Sequence, residues 1–263
     1  MAARDELNGP FEKRYVALGD SFTEGVGDID PSSPNGVRGW ADRVAAQLIE
    51  NGGSWGYANL AIRGRKLQQV LDEQLDAALA LAPTLVTIYA GGNDILRPVV
   101  NLDGMMERYR WALEKLVDSG AQVVVFTGFD SGKAPMFRAT RGRTAIYNEH
   151  VRKMVDDLQL GLVDFWHMKR FQDWRLWDPD RMHLSIEGHI WMAKEVLSVL
   201  GEKDSIEEPE LEEPPVTSLP EKFIGEVTWT KDYLYPWVKR RVTRKSSGDN
   251  LSPKYPKLTQ RIW

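Results

Sequence analysis

Residues 14–27, R-Y-V-A-L-G-D-S-F-T-E-G-V-G, decide how the rest of the chain is read. The apolar run Tyr15-Val16-Ala17-Leu18 is short, uncharged and stopped by Gly19-Asp20-Ser21, which is the pattern of a buried strand bounded by turn residues. Gly19 lets the backbone turn sharply at the strand's end. Ser21 then stands just past a strand's carboxyl end, the place where open parallel sheets bind ligands. Taken alone, Asp20-Ser21 serves as well to cap the next helix.

Outward from this stretch the chain alternates. Apolar residues at helical spacing over 40–49, 67–81, 103–118, 144–158 and 186–200 predict helices. Between them, 57–61, 84–89, 121–126 and 161–165 are short apolar or β-branched runs that predict strands. Strands alternating with helices imply a parallel sheet covered on both faces, and right-handed crossovers give a three-layer α/β/α sandwich, flavodoxin-like, with about five parallel strands. Residues 128–143 form a long basic loop of the kind that is usually functional. The Trp-rich stretch 166–178 reads either as a satellite hydrophobic cluster or as one wall of an acyl pocket.

Composition sets the outer limits. The chain has 263 residues, 42% hydrophobic and 27% charged, enough for one large domain with an appendage. Net charge is −4, so no global charge points to nucleic acid, and the absence of cysteine excludes disulfides and thiol nucleophiles. The first ten residues show no apolar leader, and no run reaches the ~18 apolar residues of a membrane span, so a cytoplasmic protein without stable membrane insertion is expected. The glycines at 25 and 27 do not complete a phosphate-binding or dinucleotide fingerprint.

Three later segments bear on Ser21: N-L-A-I-R-G at 59–64, G-G-N-D at 91–94 and D-R-M-H at 180–183. With G-D-S they resemble, over roughly residues 14–200, the SGNH or GDSL hydrolase family (GDSL-like lipase/esterase), whose fold is the sandwich inferred above. The matching positions are Ser21, Gly64, Asn93 and His183. The resemblance implies a serine hydrolase cleaving carboxylic esters without a cofactor or metal. Ser21 would be the nucleophile, His183 the base and Asp180 its orienting partner. The Ser21 N–H, the Gly64 N–H and the Asn93 amide would form the oxyanion hole. Ser21 is not in a G-x-S-x-G elbow, which disfavours the ordinary α/β-hydrolase reading.

Gly64 and Asn93 are also ordinary turn residues. His150 and His189 fall within helices, where packing or surface roles are the simpler expectation, and His167 is open. Carbohydrate O-acetyl esterase and acyl thioesterase are the alternative activities. The expected substrate is a small-molecule ester with a short acyl chain, because no long apolar insertion is present.

Beyond the catalytic domain at 1–200, residues 201–222 carry eight acids against two bases and four prolines, the composition of a solvated linker. Residues 231–263 carry nine bases against two acids, with Tyr233, Tyr235, Trp237, Tyr255 and Trp263 interleaved and no clear period. Residues 223–263 are therefore expected to be a strap packed on the catalytic domain. The competing reading is a free basic tail that binds an anionic surface or nucleic acid.

Overall fold

The structure, a computed structural model, describes residues 11–134, 137–213, 218–243 and 246–262. The amino-terminal decapeptide and Trp263 lie outside the described residues. Five strands run parallel: β1 (Lys13–Gly19), β2 (Trp55–Asn59), β3 (Leu85–Tyr89), β4 (Gln122–Phe126) and β5 (Gly161–Val163). A sixth, β6 (Tyr255–Thr259), pairs antiparallel with β2, giving the order β5-β4-β3-β1-β2-β6. The five parallel strands are those expected, and the sixth makes the sheet mixed. The extra strand comes from the tail and covers the edge that β2 would otherwise leave open, a position that tolerates Pro256.

Alternation along β1 sends its side chains to two cores. Val16 and Leu18 join Ala58, Ile88 and Val125 on one face, while Tyr15 and Ala17 join Tyr57, Val124 and Phe126 on the other. The second face is covered by α1 (Gly39–Glu50) and, from further along the chain, by the helix Ile186–Leu200. The first is covered by α2 (67–80), α3 (Leu102–Asp118) and α4 (Arg141–Leu158). Ile186–Leu200 is α5; its N-cap Ser185 accepts from the Gly188 N–H, and Gly201 ends it in the left-handed conformation.

Helix α6 (219–242) was not legible as a helix. It begins at Leu219, inside the acidic stretch assigned to a linker, with a capping box formed by Ser218 and Glu221. Residues Thr230–Leu234 form a π-turn ahead of Pro236. The wider turn accommodates a residue that lacks an N–H and would crowd the carbonyl four positions back. It also shifts the phase of the side chains, which erases the 3.6-residue period. Among the described residues no helix is long and apolar enough to cross a membrane.

Candidate active site

The chain leaves β1, builds β2 on one side and then returns to build β3 on the other. The carboxyl ends of β1 and β3 therefore flank a topological switch point. Gly19 closes β1 at φ +147°, and a Cβ there would come within 2.5 Å of the Tyr89 carbonyl oxygen, so only glycine fits. The buried Gln74 side chain fixes this corner at two points. Its Oε1 accepts from the Gly19 N–H and its Nε2 donates to the Gly19 oxygen, both at 2.9 Å. Gln74 lies within the π-turn of α2, a distortion that often marks functional sites. The one signal in the sequence was a polar residue on the otherwise apolar inward face of the helix.

Ser21 begins the one-turn helix Ser21–Glu24, capped by Asp20, whose Oδ1 accepts from the Phe22 N–H at 3.2 Å. Across the cleft the turn 180–183 presents His183. Its Nε2 lies 2.9 Å from Ser21 Oγ and its Nδ1 2.5 Å from Asp180 Oδ2. Asp180 Oδ1 accepts from the Met182 and His183 N–H groups at 2.8 and 2.9 Å. The same turn thus fixes both ends of the carboxylate. Gly27 lets this segment approach: a Cβ there would sit 2.0 Å from the Leu184 oxygen.

Electrostatics follow from burial against partners. Burial alone would push His183 down, but the hydrogen bond and charge of Asp180, helped by Asp20 and Asp178, raise it above its ordinary value. Burial would raise Asp180, yet its bonds to His183 and to the Met182 N–H hold it below the usual carboxylate range. Asp20 is pushed up to about 6, chiefly by burial.

Asn93 follows β3 and donates through Nδ2 to Asp20 Oδ2 at 3.0 Å and to the Arg65 oxygen at 3.1 Å. Ser21, Asn93 and His183 all line one cavity of about 190 Å³. Gly64 is not among its lining residues. It sits in the turn after β2, beside Ser246, whose Oγ would be 2.2 Å from a Cβ at that position. That turn is held by the buried Glu24, which accepts from the Arg63 N–H at 2.6 Å and pairs with the Arg63 guanidinium at 2.7 Å. Sequence reasoning missed Glu24, because its partner lies 39 positions away.

Aromatic side chains form part of the cavity wall, among them Phe22, Tyr89, Phe129, Phe165, Trp177 and, from α6, Trp237. Of the Trp-rich stretch only Trp177 lines it, packed 4.7 Å from Phe129 between ring centroids. The other histidines stand apart. His189 is buried, takes the Trp40 N–H on Nδ1 and donates from Nε2 to the Val26 oxygen, both at 3.1 Å. His150 is at the surface near Asp103, and the exposed His167 pairs with Asp164.

Comparison with known proteins bears on the fold and the family. The chain is 25% identical over 194 residues to the GDSL esterase/lipase WDL1 of Oryza sativa subsp. japonica, covering 60% of this chain and 75% of that protein. Among solved structures, the acetylxylan esterase Axe2 from Geobacillus stearothermophilus superposes with a TM-score of 0.61 at 19% identity, covering 75% of this chain and 97% of that one. The psychrotrophic esterase EstA from Pseudoalteromonas sp., inhibited there by monoethylphosphonate, gives 0.56 at 17% identity over 72% of this chain and 97% of its own. These two likenesses concern the fold. The family model for GDSL-like lipases/acylhydrolases matches residues 17–190. The chain therefore belongs to the GDSL-like lipase/acylhydrolase family, a family of ester-hydrolysing enzymes.

Proposed function

We propose that the protein hydrolyses carboxylic esters with Ser21 as nucleophile, His183 as general base and Asp180 as the group that orients and charges-balances the imidazole. The observation that carries this is the unbroken run from Ser21 Oγ through His183 Nε2 and Nδ1 to Asp180 Oδ2 at 2.9 and 2.5 Å. Ser21 Oγ attacks the acyl carbon as its proton passes to His183 Nε2. The protonated imidazole returns that proton to the leaving alkoxide, and water then clears the acyl-enzyme by the same exchange. The developing oxyanion would be met by the Ser21 N–H, the Asn93 amide and the Gly64 N–H. Both Asn93 amide hydrogens are donated at rest, to Asp20 and to the Arg65 carbonyl, so the amide is held in place and exchanges one of these bonds for the oxyanion when charge appears.

The sequence led to a short acyl chain; the cavity favours a medium-length one. The cavity of about 190 Å³ that presents Ser21 and His183 is open to solvent and has much apolar and aromatic wall. Benzoyl or medium-length acyl groups are therefore favoured over acetyl. The fold likeness to an acetylxylan esterase makes carbohydrate O-deacetylation the second reading. Hydrolysis of nitrophenyl esters from acetate to decanoate, set beside acetylated xylo-oligosaccharide, tests both. The first reading expects a maximum at intermediate chain length that Ser21→Ala abolishes. Activity confined to the acetylated sugar would favour the second.

A further inference from the structure

Arg181, between Asp180 and His183, is one of few non-glycine residues with positive φ, at +60°. An L residue there carries a steric cost of about 1 kcal/mol or more and persists where its surroundings enforce it. The position matters because Asp180 and His183 can engage each other three residues apart only if the intervening backbone folds back this tightly. Within the turn, the Arg181 N–H donates to the Asp178 oxygen at 2.8 Å. From outside, the enforcing contacts come from α6. The Arg181 guanidinium donates from Nη1 and Nη2 to the two carboxylate oxygens of Glu226 at 3.0 and 2.7 Å. It also lies over the Trp229 ring, 4.6 Å from its centroid.

The same helix reaches the cavity. Trp237 lines it and stands edge-on to Phe137, another lining residue, at 6.5 Å between centroids. The eleven residues from 226 to 237 span roughly 16 Å of helix, enough to run from the His183 turn to the cavity wall. An exposed ion pair alone contributes little. A two-point Arg–carboxylate fork backed by an aromatic plane does something else: it fixes where the arginine, and hence its strained backbone, sits.

We propose that α6 is a clasp on the catalytic turn, with Glu226 and Trp229 as positioning residues that act through Arg181 to keep His183 in line with Ser21. Trp237 forms part of the acyl cavity from the same element, so base alignment and acyl binding are tied to one helix. This rests on Ser21, His183 and Asp180 being the reacting set.

The experiment uses the full-length chain and two readouts, steady-state hydrolysis of nitrophenyl hexanoate and the rate of modification by a fluorophosphonate. In Glu226→Ala, kcat and the modification rate should each fall about fivefold, what losing ~1 kcal/mol of alignment gives, while KM and the melting temperature hold. Placing Arg181→Gly in that background removes the steric cost that the clasp offsets, so most of the lost kcat should return. If Glu226→Ala melts early, Glu226→Gln, which keeps the side-chain shape, should give an intermediate loss in a folded protein. Equal kcat and modification rate in wild type and the Glu226 variants overturns the clasp, as does a loss that Arg181→Gly fails to relieve. Modification of wild type at a residue other than Ser21 would instead mean that the reacting set itself is wrong.

Discussion

Lys254 Nζ lies 2.6 Å from Asp42 Oδ2 with both side chains fully withdrawn from solvent, although the two are 212 positions apart. The ammonium also donates to the Glu24 and Arg38 oxygens, and Asp42 accepts from the Tyr57 hydroxyl at 2.7 Å. Burial pushes the Asp42 carboxyl up and the Lys254 ammonium down in spite of each other's charge. Such a pair is expensive to hide and more expensive to halve. Lys254→Met should therefore cost about 3–5 kcal/mol in unfolding experiments, and adding Asp42→Asn should recover part of that loss. An unchanged denaturation midpoint in the single variant would mean that the ion pair does not fasten the tail.

The rate should follow the charge on His183, which must be neutral to take the Ser21 proton. Asp180 and its neighbours raise the imidazole above its ordinary 6.5, so kcat/KM should climb with pH through a midpoint above that value. Asp180→Asn removes the strongest raising influence. Its acid limb should move to lower pH while the rate falls by up to about 10⁴. Profiles between pH 5 and 9 check this, and a limb that stays put or moves upward in the variant contradicts it.

Asn93→Ala should lower kcat by roughly 10²–10³, the usual cost of one oxyanion donor, with KM nearly constant. The variant also frees the second oxygen of Asp20 from its partner. A change confined to KM would make Asn93 a substrate-binding group alone.

His189 and Asp20 pull acid stability in opposite directions. Burial pushes His189 down to about 4 from 6.5. The unfolded chain therefore takes up that proton first, and stability is lost as pH falls from 6.5 towards 4, by about 3 kcal/mol at 1.36 kcal/mol per unit. Asp20, pushed up to about 6 from 3.8 chiefly by burial, binds its proton first in the folded state and so adds stability as pH falls from 6 towards 3.8. Removing that compensation with Asp20→Asn should steepen the loss of melting temperature between pH 6.5 and 4. Parallel curves for the two proteins would rule out the offset.

The sheet was legible because β1 to β5 are short, nearly charge-free runs and the helices between them keep one apolar face. Ser21, Asn93, Asp180 and His183, which the fold brings together, could be named because each sits in a short motif near a strand end or just ahead of a helix; Gly64 was named in the same way but lies outside the cavity lining. What the sequence concealed was held by distant partners. Gln74 serves Gly19 from 55 positions away, and Lys254 serves Asp42 across most of the chain. Helix α6 was hidden for another reason. Its π-turn breaks the period, and Ile224, Val227 and Tyr235 remain exposed, so no apolar stripe marks it. Strand β6 is short, contains Pro256, and alternates too few buried residues to be read.

Whether Ser21 is the nucleophile is read from the site of covalent modification by a fluorophosphonate, mapped by mass spectrometry in wild type, Ser21→Ala and His183→Ala. The geometry predicts a single adduct on Ser21 in wild type. Ser21→Ala should give none, with esterase turnover down by about 10⁶, and His183→Ala should be modified far more slowly. An adduct elsewhere, or a Ser21→Ala protein that keeps a tenth of the wild-type activity, would contradict the assignment of Ser21 as the nucleophile.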